Sequence, residues 1–238
     1  MQAIILAGGL GTRLKSVVAD KPKVLSPVAG NPFLKYIIDY LLQQKITNFI
    51  FSLGYLHEQV LEFLQTTYPA LTYTYTVETS PLGTGGGIKK AMELVTEENV
   101  FVVNADTFFG VDLPAMMQFH KAAKAHCTVS LKAMNDFDRY GTVEINEHHS
   151  ITSFKEKQFT HQGLINGGYL IFNKACFMQQ TAQLPEVFAY EKDFLEKYLL
   201  DITIKGYVAT GYFIDIGIPE DFAKAQLIFD GSTSTFIK

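Results

Sequence analysis

The chain has 238 residues, of which 47% are apolar and 18% charged, with a net charge of −4. That length buries a core without disulfide or metal staples, and the mild negative charge without a basic run excludes a nucleic-acid footprint. No apolar run approaches the roughly 20 residues that span a bilayer, and residues 1–9 carry no basic segment, so they read as a first strand and not as a signal peptide.

Taken in order, residues 3–7 form a short apolar strand that runs into glycines. Leu34, Ile37, Ile38, Leu41 and Leu42 recur at helical spacing within residues 33–44. Residues 48–53 are strand-like, 57–66 amphipathic, and 71–77 alternate with period two. Residues 85–95 suit a helix, and 100–104 are a continuous apolar strand. This βαβαβα rhythm predicts an α/β protein whose parallel sheet is covered on both faces. The second half is more mixed. Strands are expected at 127–133, 141–146, 151–154 and 168–172, with few helices between them, and helices at 193–200 and 220–229. No repeat or long linker interrupts the chain. It reads as one domain, residues 1–238, with a weak internal boundary near Phe109 between parts 1–109 and 110–238.

Cys127 and Cys176 lie far apart in the sequence within apolar stretches. They read as buried free thiols of a protein from a reducing cytoplasm. The six histidines show no metal-ligand spacing and read as surface residues.

The first candidate site is Leu6-Ala7-Gly8-Gly9-Leu10-Gly11-Thr12-Arg13, directly after the first strand. Glycines let backbone N–H groups approach phosphate oxygens, and Arg13 adds a forked cation suited to phosphate. Lys21-Pro22-Lys23 follows, with the proline restricting where Lys23 can point. There is no Gly-Lys-Ser/Thr ending as in a P-loop, and Leu14 stands where a dinucleotide fingerprint has its third glycine. Alone, the segment is equally a glycine turn with solvated lysines.

Two carboxylates stand at the ends of apolar runs. Asp106 closes Val100-Phe101-Val102-Val103-Asn104-Ala105, beyond a strand C-terminus, where open α/β sheets place their ligand crevice. Asp215 closes Tyr212-Phe213-Ile214, just before Gly217 and Pro219. Two such carboxylates with phosphate oxygens make a hard-oxygen site for Mg2+. Asp221, in the opening turn of the last helix, reads as a turn or cap residue.

The composite of Gly8-Gly9-x-Gly11-Thr12-Arg13, Lys21-Pro22-Lys23 and Pro27-Val28 resembles the signature of the sugar-1-phosphate nucleotidyltransferases. The resemblance extends over nearly the whole chain. It implies a Rossmann-like three-layer nucleotidyltransferase fold with a mostly parallel central sheet and a sugar-binding subregion. It also implies transfer of a nucleoside monophosphate to a sugar 1-phosphate, with pyrophosphate released. Leu6, Gly8, Gly9, Gly11, Thr12 and Arg13 would hold the nucleotide and its triphosphate, Lys23 and Arg13 would act in catalysis by stabilising charge on the transferring α-phosphoryl group and the leaving pyrophosphate, and Asp106 and Asp215 would hold Mg2+. Ala105 stands where the family commonly has glycine.

Glu78-Thr79-Ser80-Pro81-Leu82-Gly83-Thr84 is similar to the family's base-recognition loop, with Gly83 allowing close approach to the base. Glu78 falls where uridylyl and thymidylyl members often carry glutamine. An ionised glutamate is acceptor-only and matches the adjacent N1–H and N2–H donors of guanine, which favours GTP. On the sugar side, the resemblance assigns Gly141, Glu156, Asn166 and Gly168 to the sugar and Lys157 to its phosphate. Gln158 replaces a usual proline. The stretches Tyr190–Leu195 and Tyr212–Ala223 resemble the subgroup that makes GDP-heptose, the D-glycero-α-D-manno-heptose 1-phosphate guanylyltransferases.

The expected partners are GTP and a sugar 1-phosphate, with no nucleic acid and no membrane, and a homo-oligomer is left open. A mannose-1-phosphate guanylyltransferase and a uridylyltransferase for an N-acetylmuramate or hexose phosphate are the nearer alternatives. A glycosyltransferase would usually show Asp-x-Asp, which Asp106-Thr107-Phe108 lacks. A non-catalytic nucleotide-sugar-binding regulator would not need Lys23 and both aspartates.

Overall fold

A computed structural model describes residues 1–9 and 21–230. The parallel centre consists of β1 (Gln2–Ala7), β4 (Asn48–Leu53), β5 (Tyr73–Val77) and β6 (Asn99–Asn104), with β1 between β4 and β6. The second half adds β8 (Cys127–Phe137), β9 (Thr142–Ile145), β10 (Ile151–Lys155), β11 (Thr160–Asn173) and β12 (Ile204–Ala209). Among the described residues these strands form one nine-stranded sheet in the order β10-β9-β11-β6-β1-β4-β5, with β8 beside β11 and β12 beside β8. β11 is the seam. It runs antiparallel to β6 on one side and to β8 on the other. Two small ribbons stand apart: β2 (Pro27–Val28) with β3 (Asn31–Pro32), and β7 (Thr107–Phe109) with β13 (Phe213–Asp215).

Helices cover both faces. On one face lie α1 (Phe33–Gln43), α2 (His57–Thr67), α4 (Leu113–Ala122) and α6 (Pro219–Ile228); on the other lie α3 (Gly83–Met92), α5 (Lys174–Gln180) and a π-helical run, Tyr190–Glu196. The strands divide their side chains between these faces with period two. Ala3, Ile5 and Ala7 of β1, and Phe101 and Val103 of β6, pack under α1 and α2. Ile4, Val100 and Val102 pack under α3 and α5. Strands buried on both faces need unbroken apolar runs, which is why the parallel centre was readable as such.

The differences from expectation fall in the second half. The strand at 168–172 is the last third of the fourteen-residue β11. The helix at 193–200 starts earlier, as the π-helical run. Besides the two small ribbons, α4, α5 and β12 had no sequence expectation. The two helices carried a signal in their caps. Asp112 Oδ1 accepts from the Ala115 amide at 2.9 Å, with Pro114 inside the first turn, and Asn173 Oδ1 accepts from the Cys176 amide at 3.0 Å.

His120 is also corrected. It is 1% exposed, on the inner face of α4, and so is no surface residue. Its Nδ1 lies 2.8 Å from Thr128 Oγ1 and its Nε2 lies 3.0 Å from Asn99 Oδ1. Burial, reinforced by the His126 and Lys121 charges, pulls its pKa down to about 4. Both cysteines are free; Cys127 is buried and Cys176 half-buried. Burial raises the thiol pKa of both.

Candidate active site

Parallel strands deliver their C-terminal residues to one edge of a sheet, and a cleft of about 610 Å³ opens there. Leu6, Gly8 and Gly9 line it from the end of β1, and Glu78, Gly83 and Thr84 from the loop after β5 and the start of α3. Gly11, Thr12 and Arg13 lie outside the described residues. A second cleft of about 670 Å³ is lined by Asn99, His120 and Cys176, and contains none of the residues expected to act.

Lys23 and the two aspartates converge although they are far apart in sequence. Lys23 opens a short 3₁₀ turn, Lys23–Leu25, whose preceding residue is Pro22 at φ −56. Its Nζ donates to Asp106 Oδ2 at 2.5 Å. Asp106 sits between β6 and β7, and its carbonyl accepts from the Ile216 amide at 3.0 Å. Asp215 enters through the β7–β13 ribbon, opposite Thr107. The turn after it is tight. Gly217 donates its amide to Asp215 Oδ1 at 2.7 Å, and a Cβ on Gly217 would lie 2.8 Å from that oxygen and 3.2 Å from Lys23 Nζ. Glycine at 217 is therefore what lets the ammonium and both carboxylates share one corner.

Glu78 is half-buried and turned inward. Its Oε2 accepts from the Leu82 amide at 3.0 Å. Its Oε1 lies over two glycines: a Cβ would fall 2.7 Å from it at Gly87 and 3.2 Å at Gly8. Gly54, which the sequence did not single out, meets the same loop, since a Cβ there would fall 2.7 Å from the Gly8 carbonyl. Gly83 is also required within the chain itself. It has φ +70, and a Cβ on it would lie 2.6 Å from the Phe188 carbonyl oxygen. Gly83, Gly85 and Gly86 form a seat for the 186–188 segment: Gly85 N–H donates to Phe188 O at 2.9 Å, and Thr84 Oγ1 accepts from the Tyr190 amide at 3.2 Å.

The sugar-side residues lie along β9 to β11 and do not line this cleft. Glu156 and Lys157 are exposed in the turn between β10 and β11. A Cβ on Gly141 would lie 2.5 Å from the Lys155 carbonyl, so the start of β9 rests on the end of β10. Asn166 and Gly168 belong to an irregularity in β11, where the register against β8 shifts between Asn166 and Leu170. Gly168 has φ +79, its amide donates to Asn166 Oδ1 at 2.9 Å, and its Cβ position is 3.1 Å from Asn104 Nδ2. Asn166 Nδ2 donates to the Tyr190 hydroxyl at 3.1 Å and to Glu191 Oε1 at 2.9 Å. Asn104 lines the nucleotide-side cleft and its side chain also lies against Gly168, so it joins the two groups. A polar residue closing an apolar strand was the signal that would have found it.

Asp221 is more than a cap. It is 6% exposed and accepts from Arg139 Nη2 at 2.5 Å and from Lys224 Nζ at 3.1 Å. Burial and then the Asp215 charge push the neighbouring Tyr140 phenol up to about 12, which keeps it a neutral donor.

The donor chemistry fits one hard divalent cation. Among the described residues no cluster of three His, Cys, Asp or Glu could hold a metal. Asp106 and Asp215 supply two carboxylates, and Mg2+ commonly takes one or two carboxylates and completes its shell with phosphate oxygens and water.

Among the described residues no helix is long and apolar enough to cross a membrane. A heptose guanylyltransferase of Aneurinibacillus thermoaerophilus, named D-glycero-alpha-D-manno-heptose 1-phosphate guanylyltransferase, is 48% identical over 226 residues, which is 95% of this chain and 97% of the relative. A protein of the same name from Campylobacter jejuni is 42% identical over 93% of this chain and 97% of its own length. The crystal structure of HddC from Yersinia pseudotuberculosis complexed with GMP-PN superposes with a TM-score of 0.85 at 34% identity, over 96% of this chain and 99% of that one. The model of the family described as Nucleotidyl transferase matches residues 2–230. Members of this family typically use a divalent metal. With the family matched from β1 to the end of α6, and with an ammonium and two carboxylates gathered at the carboxyl edge of its parallel sheet, this chain belongs to the nucleotidyl transferases.

Proposed function

We propose that the chain transfers GMP from GTP to a sugar 1-phosphate, D-glycero-α-D-manno-heptose 1-phosphate, giving GDP-heptose and pyrophosphate. One observation carries the reading. Lys23 Nζ stands 2.5 Å from Asp106, beside Asp215, at the mouth of a cleft whose other wall is the Glu78 loop. The heptose guanylyltransferases that align end to end with this chain supply the substrate. We read the chain as one domain, with residues 1–109 serving the nucleotide and 110–238 the sugar. Its two free thiols suit a reducing cytoplasm.

The chemistry is a direct displacement. An oxygen of the ionised sugar phosphate attacks the α-phosphorus of GTP, the new P–O bond forms, and the bond to the β-phosphate oxygen breaks, releasing pyrophosphate. The attacking group is already an anion, so no general base is required. The chain's own residues position the reactants and stabilise charge. Leu6, Gly8, Gly9, Gly11, Thr12 and Arg13 hold the triphosphate. Lys23 leaves Asp106 for the transferring phosphoryl group. Glu78 reads guanine, with Gly83 and Thr84 shaping the loop beside it. Gly141, Glu156, Asn166 and Gly168 hold the sugar, and Lys157 its phosphate. Asp106 and Asp215 would hold Mg2+, which neutralises phosphate charge as the two anions meet.

The test is a matrix of GTP, ATP, UTP and CTP against heptose, mannose, N-acetylmuramate and glucose 1-phosphates, read by pyrophosphate release. GTP with the heptose phosphate is expected to give the highest kcat/KM. A higher value with mannose 1-phosphate would move the substrate, and one with UTP would end the guanine reading.

A further inference from the structure

Arg139 and Asp221 are 82 residues apart, and neither is assigned a role in the displacement above. They link the two turns that the reaction needs to keep in register. Asp221 sits in the first turn of α6, which starts four residues after Asp215. Its carboxylate is nearly inaccessible and accepts from the Arg139 guanidinium, while Lys224 completes its shell from one turn later. The Arg139 guanidinium lies 5.5 Å from the centre of the Tyr140 ring. That ring meets Phe213 of β13 edge-on, with centroids 5.9 Å apart. Gly141 follows and rests on the Lys155 carbonyl, one residue before Glu156 and Lys157. An unbroken path of contacts therefore runs from the turn that holds Asp215 to the turn that holds Lys157.

A cap residue would bond amides of its own helix. Asp221 instead reaches across the molecule, and the N-cap of α6, Ile218, makes no side-chain cap bond. A nearly buried carboxylate is costly unless paired, so the pair fixes the 139–141 turn in one position relative to α6. Three contacts of different kinds meet at this turn: an ion pair, an aromatic edge and a glycine seat.

We propose that the Arg139–Asp221 ion pair is a positioning strap, which sets the distance between the sugar-phosphate turn and the Asp215 turn. This rests on the sugar-1-phosphate reading above. Arg139 does not line the nucleotide cleft; its guanidinium is held by Asp221 and lies over Tyr140, so it acts through Tyr140 and Gly141. The strap meets the Lys23–Asp106 corner only through the Asp215 turn, and none of Arg139, Tyr140, Gly141 and Asp221 lines the nucleotide cleft, so its main effect falls on the sugar phosphate.

The experiment compares Arg139→Met, Arg139→Lys and the double variant Arg139→Met/Asp221→Leu in the full chain. The readouts are kcat, both KM values, GTP affinity by calorimetry without sugar, and Tm. Arg139→Met is expected to raise the sugar-phosphate KM about tenfold and lower kcat, with GTP affinity within twofold of wild type; a factor of ten is about 1.4 kcal/mol. Arg139→Lys is expected to recover part of that loss. The double variant removes both charges, so its Tm is expected to return towards wild type while the sugar-phosphate KM stays high. That separation distinguishes positioning from plain stability. An unchanged sugar-phosphate KM in Arg139→Met, an equal loss for both substrates, or a normal KM in the double variant overturns the strap. A wild-type chain that uses no sugar 1-phosphate would instead sink the substrate reading, and the strap with it.

Discussion

The two halves of this molecule build their parts of the site by different means. In the first half, β1, β4, β5 and β6 are parallel, so each strand end arrives at the same edge. Gly8, Glu78 and Asp106 are each a few residues beyond a strand that brings them there. In the second half, β8, β9 and β11 are antiparallel, and consecutive strand ends point to opposite edges. Site residues there depend on devices that interrupt the ladder. The register shift at Asn166–Leu170 turns Asn166 towards Tyr190, and the Arg139–Asp221 pair ties a turn to a helix. Parallel topology converts local sequence into a site almost automatically, whereas an antiparallel arm needs long-range ties.

The sharpest way to break that comparison is to remove groups from the parallel half. Lys23→Ala or Asp106→Ala is expected to lower kcat by about 10²–10³-fold, the scale of losing one charge-stabilising group from a transition state. The Lys23 and Asp106 side chains are 13% and 36% exposed, so the fold is expected to survive, with Tm within a few degrees of wild type. Steady-state pyrophosphate release together with thermal melting checks both. Near-normal turnover in either variant would remove that residue from the reaction.

A second test concerns the join between the halves. His120 sits on α4 between Asn99 of β6 and Thr128 of β8, so one buried ring bridges the parallel centre and the antiparallel arm. Its pKa is about 4 in the fold, against an ordinary value of 6.5. The unfolded chain therefore binds the extra proton first. The stability that the neutral ring contributes is complete above pH 6.5 and is lost as pH falls towards 4. At most this is on the order of 3 kcal/mol. Urea midpoints from pH 8 to pH 4 are expected to fall through that window, and to fall less in His120→Gln. Parallel curves for the two proteins would show that His120 stays neutral at no cost.

How much was legible follows the same division. Unbroken apolar runs such as Val100–Val103 gave the buried parallel strands, and their ends gave Asp106 and the glycine loop. Asp215 was legible because a carboxylate closing an apolar run needs a reason to be there. The partnership of Lys23, Asp106 and Asp215 was expected from the motif resemblance, and the distances follow from the β7–β13 ribbon. What escaped depends on distant partners. The buried state of His120 depends on Asn99 and Thr128 from other elements, which no local pattern encodes. Asp221 looked like a cap because its partner is 82 residues away. That Gly83 and Gly85 also seat Phe188 was not visible, because that contact comes from about a hundred residues later in the chain. Each miss is a tertiary contact that overrides a sound local reading.

The finest test lies in the loop where local reading and tertiary packing overlap. Glu78 Oε2 is held by the Leu82 amide, and Oε1 lies over Gly87 and Gly8. In Glu78→Gln the amide oxygen can still accept from Leu82, so the loop keeps its shape. The other carboxylate oxygen becomes an NH₂ donor, which opposes the N–H donors of guanine and suits a carbonyl of uracil. The ratio of kcat/KM for GTP over UTP is therefore expected to fall about tenfold, the scale of one hydrogen bond to a charged group. An unchanged ratio with both nucleotides slowed alike would mean that Glu78 acts by holding the loop through the Leu82 amide and does not read the base.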